Sequence, residues 1–366
     1  MTSKKILFLL PLPPPVHGAS MVGKYIQDSS VINTEFNCKY INISTSNYIG
    51  QIGKDPHIKL IRYLKILINV ICQVFKFNPD TIYLAITAKE IGFYKDLPIA
   101  IITKLFKKKL VLHYHNKGVK EFQNKFIDNK LYELLFKGSK VILLSELLYD
   151  DIKKYVTEQD VYYCSNGIPV VACDKSDKKE NQSTELLFLS NLIESKGVFE
   201  LLEALKILKS KKINFHCNFA GGEGDISSQQ LKQKINELNL EDSVTYHGKQ
   251  FGDDKYRLFN RSDVFVLPTF YNNECFPLVL LEAMQFRLPV ISTNEGAIAE
   301  IIDDNETGFL INKRDKVDLA NKIQQLIENP SLRKSMGEKG REKFEKKYTL
   351  FHFEQNMTEI LRKISQ

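Results

Sequence analysis

The chain has 366 residues, long for one compact core and suited to two domains, and its 43% hydrophobic and 26% charged residues are those of an ordinary soluble globular protein. The net charge of +7 is uneven: residues 1–170 hold 23 Lys and Arg against 14 Asp and Glu, a balance of +9, and the remainder carries −2. None of the six cysteines forms a CxxC pair and no Cys/His cluster has zinc spacing, which excludes a zinc module and fits reduced thiols in a cytoplasm.

The first residues, "MTSKKILFLLPLPPP", mimic a signal peptide, but the apolar run Ile6 to Leu10 stops at Pro11 and no small-residue cleavage site follows. A buried first strand fits better. No uncharged stretch approaches the ~20 residues needed to span a bilayer. Residues 58–75 come nearest, interrupted by Lys59, Arg62 and Lys65. That segment reads as a helix with Ile61, Leu64, Ile68, Ile71 and Phe75 on one stripe, expected to pack on a sheet.

Further strands are expected at 81–86, 109–115 and 140–145. The stretch 172–185 is polar and without apolar period, a linker or exposed turn. Beyond it the alternation restarts. Strands are expected at 185–191, 213–222, 243–248, 263–268, 289–293 and 308–312, and helices at about 198–209, about 228–238 and from about Pro277. Strand–helix alternation in both halves predicts two doubly wound α/β domains, with ligands beyond the carboxyl ends of the strands and a site in the cleft between the domains.

The segment "NNECFPLVLLEA" (272–283) carries the most chemistry. Pro277 suits a first helical turn, where its missing N–H costs nothing. The amides of Leu278 and Val279, next to Phe276 and Pro277, would then be free, and a helix start after a strand suits phosphate. Glu282 lies deeper and can accept paired hydroxyl protons from a ribose. Glu274, on the loop, can face whatever the phosphate carries. A sugar joined through a diphosphate to a nucleoside presents these features in that order. A solvent-facing Glu282 and a loop charge at Glu274 are the bland account of the same spacing.

With "PTFYNNECFPLVLLEAM", "FRLPVISTNEGAIAEII" (286–302) and "TGFL" (307–310), the second half resembles the retaining glycosyltransferases of family four. The resemblance implies the GT-B fold: two Rossmann-like domains facing a central cleft, 1–171 on the acceptor side and 172–348 on the nucleotide-sugar side. A terminal helix at about 349–366 would cross back onto the first domain. It also implies transfer, with retention, from a nucleoside-diphosphate sugar to an acceptor hydroxyl; the basic first half points to a glycan or lipid-diphosphate-linked acceptor, as in capsule or cell-envelope polysaccharide synthesis. The donor expected is a UDP-sugar, with a GDP-sugar as the alternative, and no metal is required.

Residue by residue, the resemblance puts Lys196 on a diphosphate-binding position and Asn191 where the family has Arg. Gly222 falls in the glycine-rich strand end that a base or ribose approaches. Gly18 is the one glycine left in a loop near the donor phosphates, and His115 falls near the reacting sugar. His113 alternates with it on the same strand face, which leaves a structural role open for one of the two. Glu274 takes the first position of the paired-glutamate signature and Cys275 stands where the family has Gly. The expected catalytic residues are thus His115, Lys196 and Glu274. The basic first half and residues 58–75 suggest a cytoplasmic protein docked peripherally on the inner, anionic face of a membrane. Nucleic acid is not expected, since no binding motif accompanies the charge. A sugar-nucleotide epimerase or hydrolase, and a non-catalytic transferase-like subunit, remain as alternatives.

Overall fold

A computed structural model describes residues 3–45, 56–173 and 183–366. The chain divides into two compact units, Met1–Asn166 with Leu350–Gln366, and Gly167–Thr349. The division falls five residues before the boundary expected after residue 171.

The first unit holds a six-stranded parallel sheet of β1 (Lys5–Leu10), β2 (Asn37–Asn42), β3 (Thr81–Ile86), β4 (Lys109–Tyr114), β5 (Lys140–Leu143) and β6 (Val161–Tyr163), in the order β2-β1-β3-β4-β5-β6. β1 and β3 are buried almost end to end, as continuous apolar runs in a parallel sheet should be. Ile6 to Leu9 are fully inaccessible, each worth about 1.5–3 kcal/mol of transfer free energy. The helix Gly18–Asp28 returns close over β1: a Cβ at Gly23 would collide with the carbonyl of Pro11. The helix Leu350–Ser365 buries Phe353, Met357 and Leu361 in this unit. It is tied down by Arg362 to Glu35 (2.8 Å) and by Lys109 Nζ to the carbonyl of Ile364 (3.2 Å).

The helix Pro56–Lys76 corrects an expectation. Its sheet-facing side is made by Val70 and Val74, with Tyr63 donating to the carbonyl of Lys95 (2.6 Å). The stripe of Ile61, Leu64, Ile68 and Phe75, expected to pack, is exposed instead. The helix is apolar on two faces, so periodicity identified a stripe without identifying which one faces inward.

The second unit repeats the architecture with β7 (Thr184–Leu189), β8 (Phe215–Ala220), β9 (Val244–Tyr246), β10 (Val264–Leu267), β11 (Val290–Thr293) and β12 (Gly308–Ile311). All are parallel, in the order β12-β11-β10-β7-β8-β9. From β7 the chain builds outward through β8 and β9, then returns to build β10 to β12 on the other side. The loops leaving β7 and β10 therefore diverge at a topological switch point, where a crevice opens beyond the strand ends. In the first unit the corresponding point lies between β1 and β3.

Candidate functional site

In the second unit the two loops at the switch point are stitched together. The loop after β7 ends in a tight turn, Glu194–Lys196, closed by Gly197 at φ +84°. A Cβ at Gly197 would collide with the carbonyl of Pro268, so glycine lets the β7 loop press on the end of β10. The amide of Phe270 donates to the carbonyl of Ser195 at 2.7 Å, and Thr269 Oγ1 reaches the same oxygen at 3.3 Å. This brings Lys196 Nζ onto Glu274 Oε2 as an ion pair, both side chains largely withdrawn from solvent. The ammonium also lies 4.6 Å from the centre of the Tyr271 ring.

Glu274 is held by its backbone as well. Its amide donates to the carbonyl of Tyr271 (2.8 Å), and the loop after β11 packs on its carbonyl at Gly296, φ +58°, where a Cβ would collide. Next to it, Cys275 accepts a hydrogen bond from the amide of Ala297 (2.7 Å) and is buried. Cys275 is not among the positive-φ residues, so a side chain at this position carries no backbone penalty.

Pro277 is the N-cap of the helix Leu278–Gln285 rather than its first residue, and no side chain caps that end. The amide of Leu280 donates to the carbonyl of Pro277 (3.1 Å). The amides of Leu278 and Val279 precede the first bond of the helix and form its polar mouth. Phe276 points inward, its ring edge-on to Tyr348 at 5.7 Å, so only its backbone can meet a ligand. Glu282, a turn further on, is half-buried and paired with Lys255 Nζ at 2.6 Å. Sequence reasoning missed Lys255 because it sits on a separate helix, Gly252–Arg261, without a motif of its own.

Beyond β8, Gly222 accepts from the amide of Leu192 (2.7 Å). The side chains of Asn191 and Lys249 flank it, at 3.4 and 3.5 Å from where a Cβ would stand. The glycine that packing demands is its neighbour Gly221, φ +151°, whose Cβ would strike the carbonyl of Ser190.

The first unit has its own concavity at its switch point, a cavity of about 330 Å³ lined by Pro11, His17, Thr87, Asp96, His115 and Asn116 among others. His115 follows β4 and is half-buried. Burial, then the nearby His17, lowers its pKa to about 4, so it is a neutral imidazole at neutral pH. His113, two residues before it, is fully buried and bonded to the hydroxyl of Tyr83, with its pKa well lowered by burial. Of the two histidines, only His115 lines the cavity. Asp96, 1% exposed, accepts from the amide of Thr87 (2.9 Å) and has Lys95 Nζ 3.3 Å from its other oxygen. It comes from the helix Glu90–Leu105, which runs through Pro98, and no sequence signal marked it. Gly18 starts the helix capped by His17. It is exposed, has an ordinary φ and faces open space, so this chain's own packing does not require glycine there.

Among the described residues no group of three or more His, Cys, Asp or Glu side chains is placed to hold a metal, and no helix is long and apolar enough to cross a membrane.

Residues 172–343 match the sequence model of the family "Glycosyl transferases group 1". The capsular polysaccharide biosynthesis glycosyltransferase CapM of Staphylococcus aureus is 29% identical over 176 residues, 48% of this chain and 45% of that one. The N-acetyl-alpha-D-glucosaminyl L-malate synthase of Bacillus anthracis is 38% identical over 112 residues, 31% of this chain and 28% of that one. The chain thus spans less than half the length of either relative. Among solved structures, Anabaena HepE in complex with UDP superposes with a TM-score of 0.76 at 17% identity, over 98% of this chain and 100% of that one. This likeness shows the fold, which is GT-B.

Proposed function

We propose that the protein is a retaining glycosyltransferase that moves a sugar from a nucleoside-diphosphate sugar, a UDP-sugar before a GDP-sugar, to a hydroxyl of a glycan or lipid-linked acceptor in capsule or envelope polysaccharide synthesis. The observation that carries this reading is the Lys196–Glu274 pair across the switch point of the second unit, beside the uncapped helix start at Leu278 and Val279. The match to group 1 glycosyl transferases over this unit supports it, as do the UDP bound by HepE and the capsular role in CapM's name.

In this reading the diphosphate lies against the amides of Leu278 and Val279, where the helix dipole and Lys196 offset its charge. Lys196 exchanges Glu274 for phosphate, and the freed carboxylate accepts hydroxyl protons of the donor sugar. Glu282 exchanges Lys255 for the ribose hydroxyls. Gly222 leaves room for the nucleoside, with Lys249 beside it. Catalysis comes chiefly from stabilising the departing diphosphate. No carboxylate is placed as an obvious nucleophile, so a front-face displacement, in which the diphosphate oxygen takes the acceptor proton, suits the groups present. No metal is needed in this scheme, since Lys196 and the helix start supply positive charge. His115, neutral, hydrogen-bonds a sugar hydroxyl from the cavity of the first unit, and Gly18 lies beside that cavity on the β1 loop.

The test is a thermal-shift screen against UDP-, GDP- and ADP-sugars, followed by product analysis with and without acceptor. A donor that binds the native state raises its melting point. The expected result is stabilisation by UDP-sugars that Lys196→Ala abolishes, and a product of unchanged anomeric configuration. Stabilisation that survives Lys196→Ala in full, or turnover to a free or epimerised sugar with acceptor present, overturns the reading.

A further inference from the structure

The outward stripe of the helix Pro56–Lys76 has an unusual makeup. Leu60, Ile61, Leu64, Ile68 and Phe75 are all about half exposed or more, Ile68 to 61% and Phe75 to 65%. At its carboxyl end the stripe continues onto the next helix: Phe75 meets Phe106 ring to ring at 4.8 Å, beside Leu105, which is 74% exposed. A contiguous run of large apolar side chains turned to solvent marks an interaction surface.

Charge selects the partner. The 21 residues of this helix contain four Lys and Arg and no Asp or Glu. Lys65 and Lys76 are exposed on it, and Lys107 is exposed just beyond Leu105. A second copy of the chain docked through the same stripe would set these lysines against their own images, which repels. An anionic lipid surface offers both an apolar layer for the stripe and negative headgroups for the lysines. We infer that this stripe, continued onto Leu105, is the face that docks on an anionic bilayer, lying in its interface rather than crossing it.

The inward side of the same helix leads to the cavity. Arg62 donates to the carbonyl of Thr45 (3.3 Å) and Tyr63 to that of Lys95 (2.6 Å), and both Thr45 and Lys95 line the cavity. Docking on the stripe therefore holds the His115–Asp96 cavity at a fixed height above the headgroups. The meeting of a lipid-carried acceptor with the cavity there rests on the function proposed above. The docking itself does not.

The chain has no tryptophan, so a single introduced one reports alone. We would place it at Ile68→Trp, with Val317→Trp in the second unit as control. The probe is vesicles of phosphatidylcholine with about a quarter phosphatidylglycerol. The expected result is a blue shift at position 68 and none at 317. It should weaken at ~1 M salt, where the screening length falls to about 3 Å, and in vesicles of phosphatidylcholine alone. In flotation, Leu64→Gln with Ile68→Gln should lower vesicle binding about tenfold, and Lys65→Gln about fivefold. The melting-point rise given by UDP should be unchanged in all of these variants. No shift at position 68, equal shifts at both positions, or vesicle-free self-association that the double variant abolishes would each overturn the inference. Loss of vesicle binding alone leaves the proposed transfer standing; loss of the UDP response alone leaves the docking standing.

Discussion

At its switch point the second unit sets two opposite charges against each other, Lys196 on Glu274. The first unit, at its own, has a cavity whose His115 is kept uncharged. The sheets are alike, six parallel strands each, yet the chemistry differs. A paired lysine and glutamate can separate to receive a ligand that is itself charged, at modest cost because each finds a new partner. A neutral imidazole in a cavity that a buried carboxylate also lines can sort hydroxyl groups without any change in net charge. In the proposed scheme the same strand layout serves an anion in one unit and a polyol in the other.

The comparison breaks most readily at the charged pair. Lys196→Ala should cost about 10²–10³ in transfer rate and weaken UDP binding, read from initial rates and from thermal shift. Glu274→Gln should cost a similar factor in rate while UDP binding holds, because in the proposed scheme this carboxylate serves the sugar end. If Glu274→Gln weakens UDP as much as Lys196→Ala does, the division of labour between them is wrong.

Next come the neutral groups of the first unit. His115→Ala or Asp96→Asn should each lower transfer about tenfold, the scale of one hydrogen bond, through kcat/KM for acceptor and not through UDP binding. An equal loss of UDP binding in these variants would erase the contrast between the units.

The titration of His115 sharpens the contrast further. Its folded pKa of about 4 lies below the unfolded value of ~6.5. Between those values the unfolded chain binds a proton that the folded one does not. Stability therefore rises with pH across that window and is lost as the solution is acidified through it. Urea midpoints measured across the window should show this slope, and His115→Gln should flatten it; His17 and His113, also lowered by burial, keep part of it. The smallest effect is expected at Cys275→Gly. It should cost about 0.5–1 kcal/mol by loosening the unfolded chain and leave the transfer rate unchanged.

The sites differ in legibility for a physical reason. Glu274, Pro277 and Glu282 lie within nine residues of one strand–loop–helix passage, so their spacing carried the argument. Asp96 and Lys255 reach their sites from separate helices, and only the fold brings them there. β2 and β6 went unseen because they are edge strands, one half-exposed and the other three residues long. The glycines expected to matter, Gly18 and Gly222, are not the ones that packing demands. Gly23, Gly197, Gly221 and Gly296 are among those it does demand, because each lies where two backbones nearly touch, and nothing in a linear reading marks such a crossing.

The helix Leu350–Ser365 completes the first unit with residues that are translated after the whole of the second. During synthesis the surface meant for Phe353, Met357 and Leu361 stays uncovered until the residues that follow the second unit have been made. The first unit, begun before the second, is finished after it.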